Sequence, residues 1–215
     1  MTEELNRLLN YLDSSSERLL LTTFYKEYIE NHAITLIMME NSGLVSMIRN
    51  EKHDEFVANV ISLREKMISI HLKSFNKDNT IDLTIKNAFE NFLNLESDKT
   101  AMSLVYYLDD QFKKDFKGLS EAEVNERLER VIKIFRYLQD KDVFEGFYKN
   151  SLSKRLLDSR GQGATIPNEE AEKLLVLKLK EECGFQFTQK LEVMFKDIKM
   201  SEDTMNDFRT TVLSK

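Results

Sequence analysis

Three histidines, one cysteine and a few clustered charges are the residues of this chain that could do chemistry. His32, His53 and His71 lie 21 and 18 positions apart. Metal ligation or general-base work needs side chains that converge on one point, as in a helical His-x-x-x-His pair, and this spacing supplies none. The expectation for them is helix-surface or partly satisfied histidines. Cys183 precedes Gly184, so it is expected at a helix C-terminus, where the negative end of the dipole opposes a thiolate. It reads as a packed structural cysteine. Asp109-Asp110 and Glu169-Glu170 are adjacent carboxylates, and neighbours on a helix point in different directions. They are expected as solvated helix ends rather than acid/base dyads. Gly161-Gln-Gly163 lacks the following Lys-Ser/Thr of a phosphate loop. No catalytic, cofactor-binding or metal site is expected.

Two basic clusters have a binding reading. Lys113, Lys114 and Lys117 come at the end of an expected helix, where cations suit the dipole. Lys149, Lys154, Arg155 and Arg160 line a later helix and its exit. Either group is a solvated helix end or a surface that draws in an acidic partner. Met38, Met39, Met47 and Met67 fall at helical spacing and read as core rather than as an adaptable groove.

The elements that must position these residues are all helical. The chain has 215 residues, 41% hydrophobic and 32% charged, with Pro167 its only proline and six glycines. Leu, Glu, Lys and Met lose little side-chain freedom in a helix. Expected helices run over about 3–12, 17–39, a short turn at 44–49, 54–75, 80–95 and 102–116, then two that open at Ser120 and Asp142, then 169–183, 188–197 and 202–212. Gly118 and Gly184 suit C-terminal stops. Ser120 with Glu123 fits a capping box, and Asp142 with Glu145 fits a second. Stripes of Ile85, Phe89 and Phe92, then Leu128, Val131, Ile132, Phe135 and Leu138, then Phe144, Phe147, Tyr148 and Leu152, mark buried faces. Ser159–Thr165 is a loop. Glu96-Ser-Asp-Lys marks a boundary, where charge changes from 10 basic and 15 acidic residues in 1–97 to 21 and 22 in 98–215. The fold class is all-α, a stacked-helix repeat followed by a helical bundle.

The net charge of −6 argues against nucleic acid. No apolar run approaches the ~20 residues of a membrane span, and the acidic, amphipathic Met1-Thr-Glu-Glu-Leu is not expected to act as a signal peptide. A single cysteine precludes an intrachain disulfide and suits a reducing compartment, so cytoplasm or nucleus is expected.

Three stretches resemble the cullins, the long scaffolds of multi-subunit ubiquitin ligases. The first is Phe135-Arg-Tyr-Leu-Gln-Asp-Lys-Asp-Val-Phe-Glu-Gly-Phe-Tyr-Lys, continuing to Leu152-Ser-Lys-Arg-Leu-Leu, with Ser153 where the family carries Ala. The second is Lys178-Leu-Lys-Glu-Glu-Cys-Gly-Phe-Gln-Phe-Thr, then Lys190-Leu-Glu and Met194-Phe-Lys-Asp, with Gln189 in place of Ser. The third is Glu40-Asn-Ser-Gly-Leu with Phe89-Glu-Asn-Phe-Leu-Asn. Phe135, Asp142, Phe144, Tyr148, Leu156, Cys183, Gly184 and Phe195 are signature positions to which the resemblance assigns packing roles. Phe92-Leu-Asn-Leu, Phe135-Arg-Tyr-Leu-Gln and Ser201-Glu-Asp-Thr-Met look most like the subtype using BTB-domain adaptors, cullin three. The stretch Gly163-Ala-Thr-Ile-Pro-Asn-Glu-Glu-Ala-Glu is longer than the family's acidic element and carries a proline.

The resemblance implies that residues 1–97 form the last helical repeat of the N-terminal arm and residues 98–215 the bundle that begins the cullin homology domain. It implies a non-catalytic scaffold without cofactor, working with a RING subunit, a ubiquitin-conjugating enzyme and BTB-type adaptors. The regions that hold the adaptors and the RING subunit are largely absent from the matched span. It further suggests that Lys113, Lys114 and Lys117 attract the acidic tail of the conjugating enzyme. A truncated decoy, a generic helical interaction module and, remotely, a helical enzyme remain the alternatives.

Overall fold

The computed structural model describes Thr23 and residues 52–74, 79–116, 118–158 and 169–213. The helices expected over 3–12, 17–39 and 44–49 lie outside the described residues. So do His32, Met38, Met39, Met47, Lys117, Arg160, Gly161, Gly163 and Pro167. Among the described residues there is no strand, and the all-α reading holds.

Seven α-helices follow in the described stretches: α1 His53–Ser74, α2 Asn79–Leu93, α3 Ser97–Asp110, α4 Glu121–Phe135, α5 Lys141–Asp158, α6 Glu169–Cys183 and α7 Phe185–Phe208. Short π-helical turns extend α3 over Gln111–Asp115 and α7 over Arg209–Leu213. In the first of these the Phe116 N–H donates to the Gln111 carbonyl at 3.0 Å, the widened spacing that defines a π-turn.

Local chemistry explains the helix ends. Ser120 caps α4: its Oγ accepts from the Glu123 N–H, and the Glu123 side chain accepts from the Ser120 N–H at 2.9 Å. The expected second capping box is corrected. α5 begins at Lys141, so Asp142 falls inside its first turn and meets the positive end of the dipole rather than capping the helix. Gly184 has φ +84 and ψ 174, and separates α6 from α7. Its N–H donates to the Lys180 carbonyl at 2.8 Å. The two short helices expected after it are one continuous helix, because neither glycine nor proline occurs after Gly184 to break it.

The chain divides into two compact units. One takes the described residues up to Leu104 together with Tyr137–Asp140; the other takes Val105–Arg136 and Lys141 onward. The division falls within α3.

In the first unit Phe56, Val57 and Val60 of α1 are buried, as are Ile85, Phe89, Phe92 and Leu93 of α2. Phe56 and Phe92 lie 6.4 Å apart, and Phe89 stacks on Tyr137 at 5.4 Å. Each such ring or branched chain contributes roughly 1.5–3 kcal/mol by leaving water. Asn94, just past α2, donates from Nδ2 to the Glu90 and Tyr137 carbonyls at 2.6 and 2.8 Å. Its Oδ1 accepts from the Gln139 N–H at 2.9 Å. One short side chain thereby holds the 137–139 segment to its unit.

In the second unit Leu128, Val131, Ile132 and Phe135 of α4 are buried, as the periodicity predicts. Phe144, Tyr148, Leu152 and Leu156 of α5 join them, together with Leu175 and Leu179 of α6 and Leu191 of α7.

Candidate interaction surface and its buried support

The expected basic clusters fare differently. Lys113 is exposed and sits in the π-turn after α3, where its ammonium donates to Asp109 Oδ2 at 2.6 Å. Lys114 occupies the same turn, its side chain outside those described, and Lys117 lies outside the described residues altogether. On α5, Lys149 is partly exposed and Lys154 exposed.

Arg155 corrects the expectation of a solvated cation. It is 8% exposed. Its Nε donates to Glu172 Oε1 and its Nη2 to Glu172 Oε2 at 3.2 Å, while its Nη1 pairs with Asp109 Oδ1. The guanidinium also lies over the rings of Phe112, at 4.9 Å, and Tyr148, at 5.6 Å. Tyr148 donates its hydroxyl to Glu172 Oε2 at 2.5 Å. Every charge in the cluster thus has a partner, as a buried charge requires.

Asp109 is likewise no solvated helix end. Burial pushes its carboxyl up, but hydrogen bonds from Lys113 and Arg155 outweigh that and hold it below its ordinary value. Burial also pushes Glu172 up, against the pull of Arg155, and raises the Tyr148 phenol well above its usual range. Desolvation pulls Arg155 down, yet the adjoining Glu172 carboxylate more than compensates and keeps it charged. Glu169 pairs with Lys173 at 2.5 Å at the exposed start of α6.

Three of the signature residues, Phe135, Phe144 and Tyr148, join this cluster in one continuous path. Phe135 meets Phe144 at 4.8 Å, and Phe144 stacks on Tyr148 at 5.8 Å with the rings 7° from parallel. From Tyr148 the path runs through Glu172, Arg155 and Asp109 to Lys113 at the surface. Leu156 is buried beside it in sequence, Asp142 is exposed, and Phe195 is partly exposed on α7. Sequence reasoning missed Glu172. Its signal was an acidic residue in the first turn of α6 lying beside Ala171 and Leu175, both buried, on the inward face.

The remaining chemistry candidates do not assemble. His53 pairs through Nδ1 with Ser103 Oγ at 2.9 Å. His71 is buried, 5% exposed, rather than on the helix surface, and its Nδ1 has no hydrogen-bond partner. Cys183 is half-buried, and burial pushes its thiol up. Among the described residues no group of His, Cys, Asp and Glu is arranged to hold a metal. No described helix is long and apolar enough to cross a membrane.

Cullin-3A of Arabidopsis thaliana is 36% identical over 253 residues, covering 97% of this chain and 34% of the relative. Cullin-3 of Dictyostelium discoideum is 36% identical over 257 residues, covering 99% and 33%. Cullin-4 of the same organism is 34% identical over 213 residues, covering 99% and 25%. The chain therefore spans about a third of the length of the Cullin-3 relatives and a quarter of Cullin-4. The family model of the cullin α-solenoid domain matches residues 1–55 and 49–205. With that model matching most of its length and relatives 34–36% identical covering 97–99% of it, the chain belongs to the cullin family.

Proposed function

We propose that this chain is a scaffold segment of a cullin-RING ubiquitin ligase, of the cullin-three subtype, and does no bond chemistry itself. The observation that carries this reading is similarity to Cullin-3 relatives over 97–99% of the chain. A scaffold of this kind works by proximity. Holding a substrate adaptor and a charged conjugating enzyme at a fixed separation replaces a costly encounter with an intramolecular one. Stiffness is what the segment has to supply, and packed rings such as Phe135, Phe144 and Tyr148 favour it. Partners on this reading are a RING subunit, a ubiquitin-conjugating enzyme and BTB-type adaptors, bound through the full-length protein. Lys113, Lys114 and Lys117 form the basic surface that speeds capture of an acidic partner segment.

The test is purification of the chain tagged at its own locus, followed by mass spectrometry. Co-recovery of a RING subunit and BTB-domain adaptors supports the reading. Recovery of the chain alone, or with regulators but neither of those components, contradicts it.

A further inference from the structure

We infer that Asp109 is an internal counter-ligand for Lys113, competing with an acidic partner segment for its ammonium and so setting how strongly the basic surface binds. The inference rests on the acidic-partner role proposed above for that surface.

The geometry assigns Asp109 two jobs through its two oxygens. Oδ1 faces inward and pairs with Arg155, whose side chain is 7% exposed. Oδ2 takes the Lys113 ammonium, whose side chain is 55% exposed. Arg155 is in turn gripped by Glu172 and stacked on Phe112 and Tyr148. Asp109 is therefore held from the inside, because its inner oxygen pairs with a buried guanidinium that Glu172 binds in turn. Lys113, one turn further along and open to water, is the mobile member. Its ammonium has further donors open to water, but its charge is already partly answered by Asp109, so an incoming carboxylate competes with one already in place.

The charge count points the same way. Arg155 and Lys113 carry two positive charges, Asp109 and Glu172 two negative, so the cluster as a whole presents none. Removing the charge of Asp109 would leave a net positive site with Lys113 released. An exposed ion pair is worth little, up to about fivefold in an equilibrium constant, so Asp109 tunes binding rather than forbidding it.

The experiment measures binding of a fluorescent poly-glutamate peptide to the whole chain at low and physiological salt. Asp109→Asn is the principal variant, since the amide oxygen still accepts from Arg155. We expect it to tighten binding about two- to fivefold, and to lose that gain in a Lys113→Met background. A gain of the same size in both backgrounds would be a long-range charge effect and would overturn the inference; so would no gain where the unmodified chain binds. Absence of binding by the unmodified chain and the variant alike sinks the basic-surface reading and the inference with it. Should the variant fail to fold, the unmodified chain decides by NMR. An Asp109 carboxyl-carbon signal that moves on saturation with peptide, as the bond to Lys113 weakens, supports the competition, and one that stays put while the peptide binds refutes it.

Discussion

Arg155 and Glu172, 17 positions apart on α5 and α6, face each other through two hydrogen bonds with both side chains withdrawn from water. Such a pair is costly to desolvate and costlier to break. Arg155→Met should lower stability by about 3–5 kcal/mol, because it strands Glu172 and the inner oxygen of Asp109. Arg155→Met combined with Glu172→Gln and Asp109→Asn should recover much of that loss, since no uncompensated buried charge remains and the new amide oxygen still accepts from Tyr148. Urea unfolding of the single and triple variants checks this. A triple variant no more stable than the single one would mean that the cluster stabilises by more than mutual neutralisation.

Asp109 gives the pH dependence a definite sign. Its folded carboxyl is held below its ordinary value, so its contribution is present above the unfolded pKa of about 3.9 and fades as pH falls through the lower folded value. Asp109→Asn should cost about 1 kcal/mol at pH 7, a modest figure because Asp109 is only partly withdrawn from solvent and its outer bond to Lys113 is screened. The difference between the two proteins should shrink toward zero below pH 4. Thermal melts at pH 7 and at pH 3.5 make the comparison, and a cost that grows on acidification would assign the wrong sign to Asp109.

What was legible in the sequence was what depends on neighbours in the chain. The apolar stripe of α4, the Ser120–Glu123 cap and the stops at Gly118 and Gly184 are set by periodicity and backbone freedom. What was not legible depends on residues brought together from afar. Arg155 sits among Lys149 and Lys154 in sequence and looks like one more solvated cation. Its partners Asp109 and Glu172 lie 46 and 17 positions away. Asp109 looked solvated for the same reason. The continuity of α7 was missed differently: Ser201 ahead of Glu202 suits a plain N-cap, but with no breaker before it the preceding helix runs through.

Gly184 carries a backbone requirement. With φ +84 and ψ 174 it occupies a region that is open essentially to glycine alone. A Cβ there would touch nothing within 4 Å, so any penalty comes from the backbone and not from crowding. Gly184→Ala should therefore destabilise the chain by about 1–3 kcal/mol and leave the core packing unchanged. Denaturant unfolding supplies the number, and an unchanged near-ultraviolet spectrum of the folded variant separates backbone strain from repacking. A neutral substitution would show that the α6–α7 junction relaxes to another conformation at no cost.

Asn94 serves three backbone groups of the first unit with one amide: the Glu90 carbonyl, the Tyr137 carbonyl and the Gln139 N–H. It needs both a donor and an acceptor, so neither neighbouring chemistry replaces it. Asn94→Ala removes all three bonds and should cost about 2 kcal/mol, at roughly 1 kcal/mol per bond less what water restores to the exposed Gln139 backbone. Asn94→Asp keeps an acceptor for Gln139 but turns a carboxylate toward two carbonyl oxygens, and should be no better than Ala. The local signature is amide hydrogen exchange. The Gln139 N–H should exchange faster in Asn94→Ala while the buried amides of α4 lose only what the global stability change dictates. Both variants unfolding at the denaturant concentration of the parent, with Gln139 still protected, would mean that the stacking of Phe89 on Tyr137 holds the segment without Asn94.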